Sequence, residues 1–406
     1  MKRTARHGWR IWGACLAALC FAPADTARAV VVSAVDQSVT AAAPAGMPGW
    51  SNMAQRAGSS AVYLGNRWAI TANHVGDGAM QFTDGRTFAS VPGSAQRLSN
   101  SGLPIGGTPD LLMFRLVEDP GLAPLTIAAS TPTSGSNVMM IGAGRDRAPG
   151  LIGWSVSPFG GAWFEVPLPL ANRVGYPLAG TKTMRWGTNA VDGGQFVISG
   201  STLGFATRFD RPGQPFEAHA ATGDSGGGVF QRIDGTWELA GLMLEIAPLG
   251  GQPANTVVAG ERTRIADLSE YRAQIDDMLT RIDPPWQNPR NYFDVDGSGM
   301  LTPRDVIIVI NKLIQNDIDE LPPELTGSPA PGDPFYDVSG DGLVSSLDAV
   351  RMINALISGN GNQVGPTVTP AAGVSLVPEP TSGLLALVGA ALLGLLRAAV
   401  RSRRRG

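Results

Sequence analysis

Three residues in the first two thirds of the chain have side chains suited to nucleophilic catalysis. Ser225 lies in the glycine-rich stretch TGDSGGGVF, His74 follows the apolar run WAIT, and Asp110 opens the apolar run DLLMFRL. A serine hydroxyl is a weak nucleophile until a neighbouring base accepts its proton, and a third group usually orients that base. Beyond residue 29 the only histidines are His74 and His219. The sequence therefore predicts His74 as the base and Asp110 as the orienting acid.

Taken alone, the stretch around Ser225 is also compatible with an ordinary glycine-rich turn. The order TANH, DLLMFRL and GDSGG resembles the trypsin-like (chymotrypsin-fold) serine proteases over residues 60–246. The resemblance implies peptide-bond hydrolysis, with Ser225 as nucleophile, His74 as general base and Asp110 holding the imidazole tautomer. It also implies an oxyanion hole formed by the backbone N–H groups of Gly223 and Ser225. The alternative is an inactive protein of this fold that binds or scaffolds a surface partner.

The resemblance gives Asp224 a structural role. In the family, the acid at this position is the buried partner of the N-terminal ammonium that zymogen cleavage produces. Signal removal after Ala29 exposes Val30 at a distance from His74 similar to that in the activated family. The sequence therefore predicts that the enzyme matures without a separate activating cut.

The substrate-binding residues implied by the resemblance depart from the family pattern. The specificity position shortly before the nucleophile is His219. The following strand holds Leu244, Glu245 and Ile246 where the family usually has a serine, an aromatic residue and a glycine. His219 favours an acidic substrate side chain if it faces the pocket, and is otherwise an ordinary exposed or core histidine.

Two acidic loops near the C-terminus have the spacing of calcium sites. A calcium loop of about twelve residues supplies oxygen ligands from positions 1, 3, 5, 7, 9 and 12, with glycine at position 6. One such loop alone is also typical of an Asx turn that caps a helix. The predicted ligands are Asp294, Asp296, Ser298, Met300 (carbonyl), Thr302 and Asp305 in the first loop, and Asp337, Ser339, Asp341, Leu343 (carbonyl), Ser345 and Asp348 in the second.

The repeated unit, one loop followed by one apolar helix, resembles a type I dockerin over residues 288–359. The resemblance implies two bound Ca²⁺ ions and a cohesin-like protein partner. Dockerins often use hydroxyl residues at loop positions 10 and 11. Here those positions hold Pro303-Arg304 and Ser346-Leu347. This departure concerns the partner surface and leaves the calcium ligands unchanged.

Both ends of the chain carry targeting patterns. Residues 1–29 combine basic residues, the apolar run IWGACLAALCFA and small residues, as in a secretory signal peptide. Residues 377–406 join Val-Pro-Glu-Pro, an apolar stretch Thr381–Val400 long enough to span a bilayer, and an arginine cluster. This order resembles a PEP-CTERM sorting signal, which implies exosortase-type processing at a bacterial cell envelope and a location at the cell surface or in the medium. A permanent membrane anchor is the alternative.

Composition sets the remaining limits. The 406 residues are 43% hydrophobic and 16% charged, which suits a folded chain of several domains, and a net charge of −3 argues against a nucleic-acid partner. The only cysteines, Cys15 and Cys20, lie in the predicted signal peptide. The exported chain is therefore predicted to hold no disulfide.

The residues discussed above must be positioned by secondary structure. Short apolar runs separated by Gly, Pro, Ser and Asn predict strands and turns, as is typical of an all-β domain. The resemblance implies two six-stranded antiparallel β-barrels. Apolar residues at helical spacing predict a closing helix within residues 264–282. The predicted order is a signal peptide (1–29), a protease domain (30–282), a linker (283–291), an α-helical calcium-loop domain (292–359), a flexible spacer (360–376) and a sorting signal with one transmembrane helix (377–406).

Overall fold

The structure, a computed structural model, shows a mainly β chain with antiparallel sheets, as the sequence predicted. The described residues are 30–33, 38–157, 161–211, 213–281, 284–315 and 333–359. The predicted signal peptide, spacer and sorting signal, including Thr381–Val400, lie outside them. Within the described ranges, no helix has the length and apolar character needed to cross a membrane.

The first sheet contains the strands that lead to His74 and Asp110. Its seven strands have the order β6-β5-β2-β3-β4-β8-β7. β4 and β8 pair along their whole length, so the residues that follow β4 and precede β8 lie at the same end of the ladder. The first eight strands of the chain are β1 Val31–Val32, β2 Met53–Arg56, β3 Ser59–Gly65, β4 Trp68–Ala72, β5 Met80–Phe82, β6 Thr87–Phe88, β7 Gln96–Arg97 and β8 Leu111–Arg115.

The later strands form the second sheet and a smaller one, except for β17, which pairs with β1. They are β9 Asn137–Gly142, β10 Arg145–Arg147, β11 Ile152–Val156, β12 Trp163–Val166, β13 Arg173–Lys182, β14 Arg185–Ala190, β15 Phe196–Ile198, β16 Thr202–Arg208, β17 Ala218–His219, β18 Gly228–Ile233, β19 Thr236–Ala247, β20 Thr256–Val258 and β21 Arg262–Asp267. The second sheet has seven strands in the order β14-β9-β18-β19-β21-β16-β15. An antiparallel bridge between Val191 and Thr207 brings β14 and β16 together, so this sheet curls on itself.

The strand count differs from the predicted pair of six-stranded barrels. Each of the two large sheets has seven strands, and β10, β11, β12, β13 and β20 form a separate five-stranded sheet. Four of its strands are inserted between β9 and β14, and β20, from between β19 and β21, pairs with β13. Within it the rings of Trp154 and Trp163 meet edge to face at 6.0 Å. Strand β1 pairs with β17 alone.

The predicted helix over 264–282 is wrong in its first part. The helix α1 spans only Arg272–Thr280, and the preceding residues form β21. Because β21 lies between β16 and β19, its backbone groups bond to two neighbouring strands. That pairing outweighs the helical spacing of its apolar residues. The other helices are α2 Pro303–Gln315 and α3 Ser346–Ser358, and short 3₁₀ helices span Ser38–Ala41, Pro48–Trp50 and Leu168–Leu170.

The two large sheets share one hydrophobic core. Ile70 and Met113 from the first sheet pack in the same buried cluster as Ile141 and Leu242 from the second. Tyr271, directly before α1, is fully buried in this cluster. Burial of these side chains holds the facing edges of the sheets at a fixed separation.

Tyr271 also anchors a polar clamp between the sheets. Its hydroxyl donates to Asn100 Oδ1 at 3.1 Å and accepts the Leu203 N–H at 3.1 Å. Asn100 Nδ2 donates to the Ser201 carbonyl oxygen at 2.8 Å. The clamp fixes the segment that leads into β8 against the start of β16.

We expect Tyr271→Phe to lower the free energy of unfolding by about 1–3 kcal/mol, because the Leu203 N–H and Asn100 Oδ1 each lose a buried partner. Urea denaturation with an unchanged m-value measures the loss. Tyr336→Phe is the matched control, since the Tyr336 hydroxyl makes no hydrogen bond within the described residues. Equal losses for the two variants would contradict the clamp.

Candidate active site and calcium loops

The structure brings His74 and Asp110 together at one end of the β4–β8 ladder. Asp110 Oδ2 lies 2.6 Å from His74 Nδ1, and Oδ1 accepts the His74 backbone N–H at 2.9 Å. The Asp110 N–H donates to Thr202 Oγ1 at 2.9 Å, which ties the acid to β16 of the second sheet. A carboxylate on Nδ1 favours the tautomer that leaves Nε2 free to accept a proton.

The environment of His74 stabilises its charged form. The Asp110 hydrogen bond is the largest influence and raises the pKa of His74, with smaller contributions from the charges of Asp110 and Glu245. Partial burial opposes them. The His74 side chain is 49% exposed and can exchange protons with solvent. The imidazole is therefore mostly neutral, and able to act as a base, only at a pH above 6.5, the ordinary pKa of histidine.

Ser225 lies where the second sheet meets the first. Its carbonyl oxygen accepts the Ser60 N–H of β3 at 3.0 Å. At Gly226, φ is +80°, and a Cβ would lie 2.2 Å from both the Ser60 carbonyl oxygen and Thr71 Oγ1. Only glycine permits this approach. Because Thr71 lies near the end of β4, just before His74, the Ser225 turn faces the strand that carries the base.

The Ser225 hydroxyl is not bonded to His74. Ser225 Oγ donates to the Leu244 carbonyl oxygen at 3.4 Å, which is long for a hydroxyl hydrogen bond. No hydrogen bond joins Ser225 to His74 among the described residues. The structure thus pairs two of the three predicted catalytic residues and places the third on the facing turn.

Two N–H groups beside Ser225 are available to a ligand. Across the described ranges, neither the Gly223 nor the Ser225 N–H donates a hydrogen bond. Gly223 has φ +100°, and a Cβ there would lie 2.8 Å from the Gly58 carbonyl oxygen. Lys182 donates to that carbonyl oxygen. The unpaired N–H groups and the ammonium make this corner electropositive.

Asp224 points away from this corner into the core. Its carboxylate accepts the Gly144 and Ala221 N–H groups, each at 2.7 Å, and the backbone N–H of Val30. Burial is the main cause that raises the pKa of Asp224 to about 7. Val30 is fully buried and has φ +42°, an uncommon torsion for a β-branched residue.

The structure contradicts the predicted pocket role of His219. The residue is fully buried, pairs with Val31 in the β1–β17 ladder, and packs edge to face against Phe209. Its Nε2 lies 3.7 Å from Glu261 Oε2. Burial lowers the pKa of His219 to about 4. His219 is therefore a core histidine in this structure and contacts no open cleft.

The other predicted pocket residues divide by burial. Leu244 is 4% exposed and belongs to the shared core, so only its carbonyl group faces Ser225. Ile246 packs against the core of the second sheet. Glu245 is partly exposed, accepts a hydrogen bond from Ser199, and pairs with Arg264 Nη1 at 3.1 Å. Of these three residues, Glu245 is the one with a charged side chain, and its charge contributes to raising the pKa of His74.

The first calcium loop gathers its acids as predicted. One carboxylate oxygen from each of Asp294, Asp296 and Asp305 lies within 4.8 Å of the others. Ser298 Oγ lies 3.3 Å from Asp294 Oδ1 and 3.3 Å from the Met300 carbonyl oxygen, and its one proton is shared between these two acceptors. This set of hard oxygens suits Ca²⁺. Burial, followed by the charge of Asp305, raises the pKa of Asp294, as expected for a partly buried acid beside another acid.

The second loop is closed by backbone hydrogen bonds to Asp337, but among the described residues only the first loop brings three carboxylates within 4.8 Å of one another. Asp337 accepts the N–H groups of Gly340 at 2.7 Å, Asp341 at 3.1 Å and Gly342 at 2.9 Å. Asp348 accepts the Ser345 N–H at 2.7 Å and completes a capping box at the start of α3. The acid at loop position 12 is therefore the third residue of a helix rather than its N-cap.

The predicted linker packs against these loops from residue 284 onward. Gln287 Nε2 donates to the Val338 carbonyl oxygen at 2.9 Å, and Asn288 Nδ2 donates to the Asp294 carbonyl oxygen at 2.8 Å. Both side chains are buried. We call the described part of residues 284–359 the calcium module.

Sequence reasoning missed several residues that position the site. Thr202 holds Asp110, and Lys182 lies beside the Gly223 turn. Ser60 Oγ donates to the Gly223 carbonyl oxygen at 3.3 Å and accepts the Ala143 N–H at 2.8 Å. Each acts across a long sequence separation, and no local motif marks it.

One comparison with known protein families matches the calcium module. Residues 292–357 match the family model of the dockerin type I domain. Domains of this type bind calcium and cohesin partners, and occur in extracellular, surface-attached proteins. No curated protein matches the chain significantly.

A solved structure also matches the β part of the chain. It is that of neuropsin, a serine protease expressed in the limbic system of mouse brain. Its sequence is 15% identical, the TM-score is 0.36, and the match covers 59% of this chain and 98% of that chain.

We expect NMR titration of the two histidines beyond residue 29 to give pKa values shifted in opposite directions from the ordinary value. His74 should show a pKa above 6.5, since Asp110 stabilises the imidazolium, and Asp110→Asn should lower it. His219 should remain neutral down to about pH 4, where protonation competes with burial. A His74 pKa unchanged in Asp110→Asn would contradict the geometry.

Proposed function

We propose that the chain is an exported serine endopeptidase with a calcium-dependent attachment module. The observation that carries the enzymatic part is the 2.6 Å pair of His74 Nδ1 and Asp110 Oδ2, facing a turn that offers Ser225 and two unpaired N–H groups. A base, its orienting acid, a nucleophile and an anion-binding corner are the components of acyl transfer.

The proposed reaction runs through an acyl-enzyme. His74 Nε2 accepts the Ser225 Oγ proton as Oγ attacks the substrate carbonyl carbon, and Asp110 stabilises the resulting imidazolium. The N–H groups of Gly223 and Ser225 bind the oxyanion, and removal of such a donor typically costs about 10²–10³-fold in rate. His74 then protonates the leaving amine, and a water molecule, deprotonated by His74, hydrolyses the ester.

The Ser225 side chain must rotate before its hydroxyl can take part in this reaction. Ser225 Oγ now bonds weakly to the Leu244 carbonyl oxygen, and catalytic hydrogen bonds are often long or misaligned in unliganded enzymes. The scaffold alternative takes the same contact as the resting state of an inactive domain. Serine-directed labelling separates the two.

We expect a fluorophosphonate to modify Ser225 in the wild-type protein, because His74 makes its Oγ nucleophilic. Ser225→Ala should abolish labelling, and His74→Ala should slow it by at least about 10³-fold. Ser134→Ala, which removes an exposed hydroxyl elsewhere, should label normally. Mass spectrometry of the modified peptide identifies the site. A correctly folded wild-type protein that does not label in calcium supports the scaffold.

The position of Val30 supports maturation by signal-peptide removal. Its nitrogen already faces the Asp224 carboxylate, whose pKa of about 7 reflects burial without a cation. Cleavage after Ala29 would convert this N–H donor into an ammonium and neutralise the acid. It would also release the φ restraint on Val30, because that torsion requires residue 29.

We expect a chain that begins at Val30 to be labelled at least about tenfold faster than one with uncleaved residues before it. The extended chain should lose stability as pH rises from about 4 to about 7, because Asp224 must then ionise without a cation. Asp224→Asn should remove the difference in stability. Urea midpoints at pH 5 and 8 test this, and active protein that begins well beyond Val30 would exclude it.

The module supplies the proposed attachment. Each repeat holds a calcium loop and leaves two apolar side chains exposed at equivalent positions, Ile307 and Ile314 on α2, Val350 and Ile357 on α3. Exposed apolar pairs of this kind suit a protein partner of the cohesin class. Signal-peptide export, exosortase-type processing and the C-terminal membrane helix remain part of the proposal on sequence grounds alone.

A further inference from the structure

The calcium module is hydrogen-bonded to a turn of the first sheet. We call Val91–Ser94 the docking turn. The Tyr292 N–H donates to the Pro92 carbonyl oxygen at 3.1 Å. The Phe293 ring packs on Gly93, where a Cβ would lie 2.8 Å from the ring. Phe293 is 8% exposed, so the turn completes the burial of a ring that also belongs to the module core.

Both calcium loops reach the docking turn. Arg351 of α3 donates from Nη2 to the Gly93 carbonyl oxygen at 2.9 Å and from Nη1 to the Ser339 carbonyl oxygen at 3.1 Å. Ser339 occupies position 3 of the second loop. Phe293 directly precedes Asp294, which occupies position 1 of the first loop. The geometry of each loop therefore determines where its contact with the turn lies.

The docking turn is also hydrogen-bonded to the end of β8. The Val91 N–H donates to the Arg115 carbonyl oxygen at 2.8 Å, and the Arg115 N–H donates to Ser94 Oγ at 3.0 Å. Arg115 is 5% exposed, and its guanidinium lies 5.5 Å from the centre of the Trp68 ring. Trp68 is the first residue of β4. The turn thus bonds directly to the end of β8 and is linked to the start of β4 through the Arg115 side chain.

His74 and Asp110 lie at the opposite ends of these strands. The ladder runs without interruption from Trp68 opposite Arg115 to Ala72 opposite Leu111. We propose that calcium binding to the module orders the docking turn and thereby braces the β4–β8 pair that presents His74 and Asp110. The turn is accordingly a docking surface for the calcium-loaded module of the same chain, in addition to any external attachment.

Amide hydrogen exchange of the full chain carrying Ser225→Ala tests the brace in calcium and in chelator. This variant cannot digest itself, so the result is independent of the proposed hydrolysis. We expect calcium to slow exchange at least about tenfold at the N–H groups of Val91, Ser94 and Arg115, as well as within α3. Protection that stays within α3, or no effect of calcium anywhere, would overturn the proposal.

Two glycine variants separate docking from backbone strain. Gly93→Ala places a methyl group against Phe293, whereas Gly85→Ala has similar torsion, φ +87° against +84°, and nothing within 4 Å. Both strain a turn of the first sheet. Only Gly93→Ala should abolish the calcium response at Arg115 while α3 still responds. Equal behaviour of the two variants would refute the contact.

A second pair removes the docking contact from the module side. Arg351→Met deletes both guanidinium hydrogen bonds, and Arg290→Met replaces an exposed arginine of the same module. Calorimetric calcium titration should show that both variants still bind the ion. Only Arg351→Met should reduce the calcium-dependent protection of the docking turn. A full response in Arg351→Met would count against the brace.

Discussion

The Ser225 turn approaches the backbone of β3 and β4 so closely that Gly226 has room for nothing larger than hydrogen. This contact brings residues from two sheets to a common edge, because the turn belongs to the second sheet and His74 to the first. The unpaired Gly223 N–H, the buried Asp224 and the Ser225 hydroxyl all take their positions from the same turn. The shared core and the Tyr271 clamp keep the two sheets at the separation that this approach requires.

The titratable groups of this region differ in solvent exposure, and their pKa values are shifted in different directions. His74 is half exposed and its pKa is raised by a carboxylate, while His219 is buried and its pKa is lowered to about 4. Asp224 is an acid whose pKa burial raises to about 7, and the nearest main-chain nitrogen that could become a cation is that of Val30. Solvent exposure therefore decides which of these groups can exchange protons with solvent and which can only be neutralised by a partner.

The parts of the site that were predictable from sequence are those encoded by local spacing. The converging acids of the first loop follow from a spacing of about twelve residues, and the paired His74 and Asp110 each stand in a short motif. Thr202, Lys182 and Arg351 were missed because each acts on a residue far away in sequence. The helix over 264–282 was overextended because apolar spacing cannot show that β21 has strands on both sides. For His219 the sequence left a pocket role and a core role open, because position in a family pattern does not report burial, and the structure shows the core role.

Long-range order in the β part of this chain depends on reversible contacts. Ser60 joins Gly223, Thr202 joins Asp110 and Arg351 joins Gly93, and each link is a hydrogen bond that re-forms whenever its partners meet again. The only two cysteines, Cys15 and Cys20, lie before residue 30, so no disulfide joins the parts that these links connect. Unfolded protein should therefore regain its structure without an oxidant or a disulfide isomerase. Reducing agents should leave it intact, and chelators should be the reagents that loosen it.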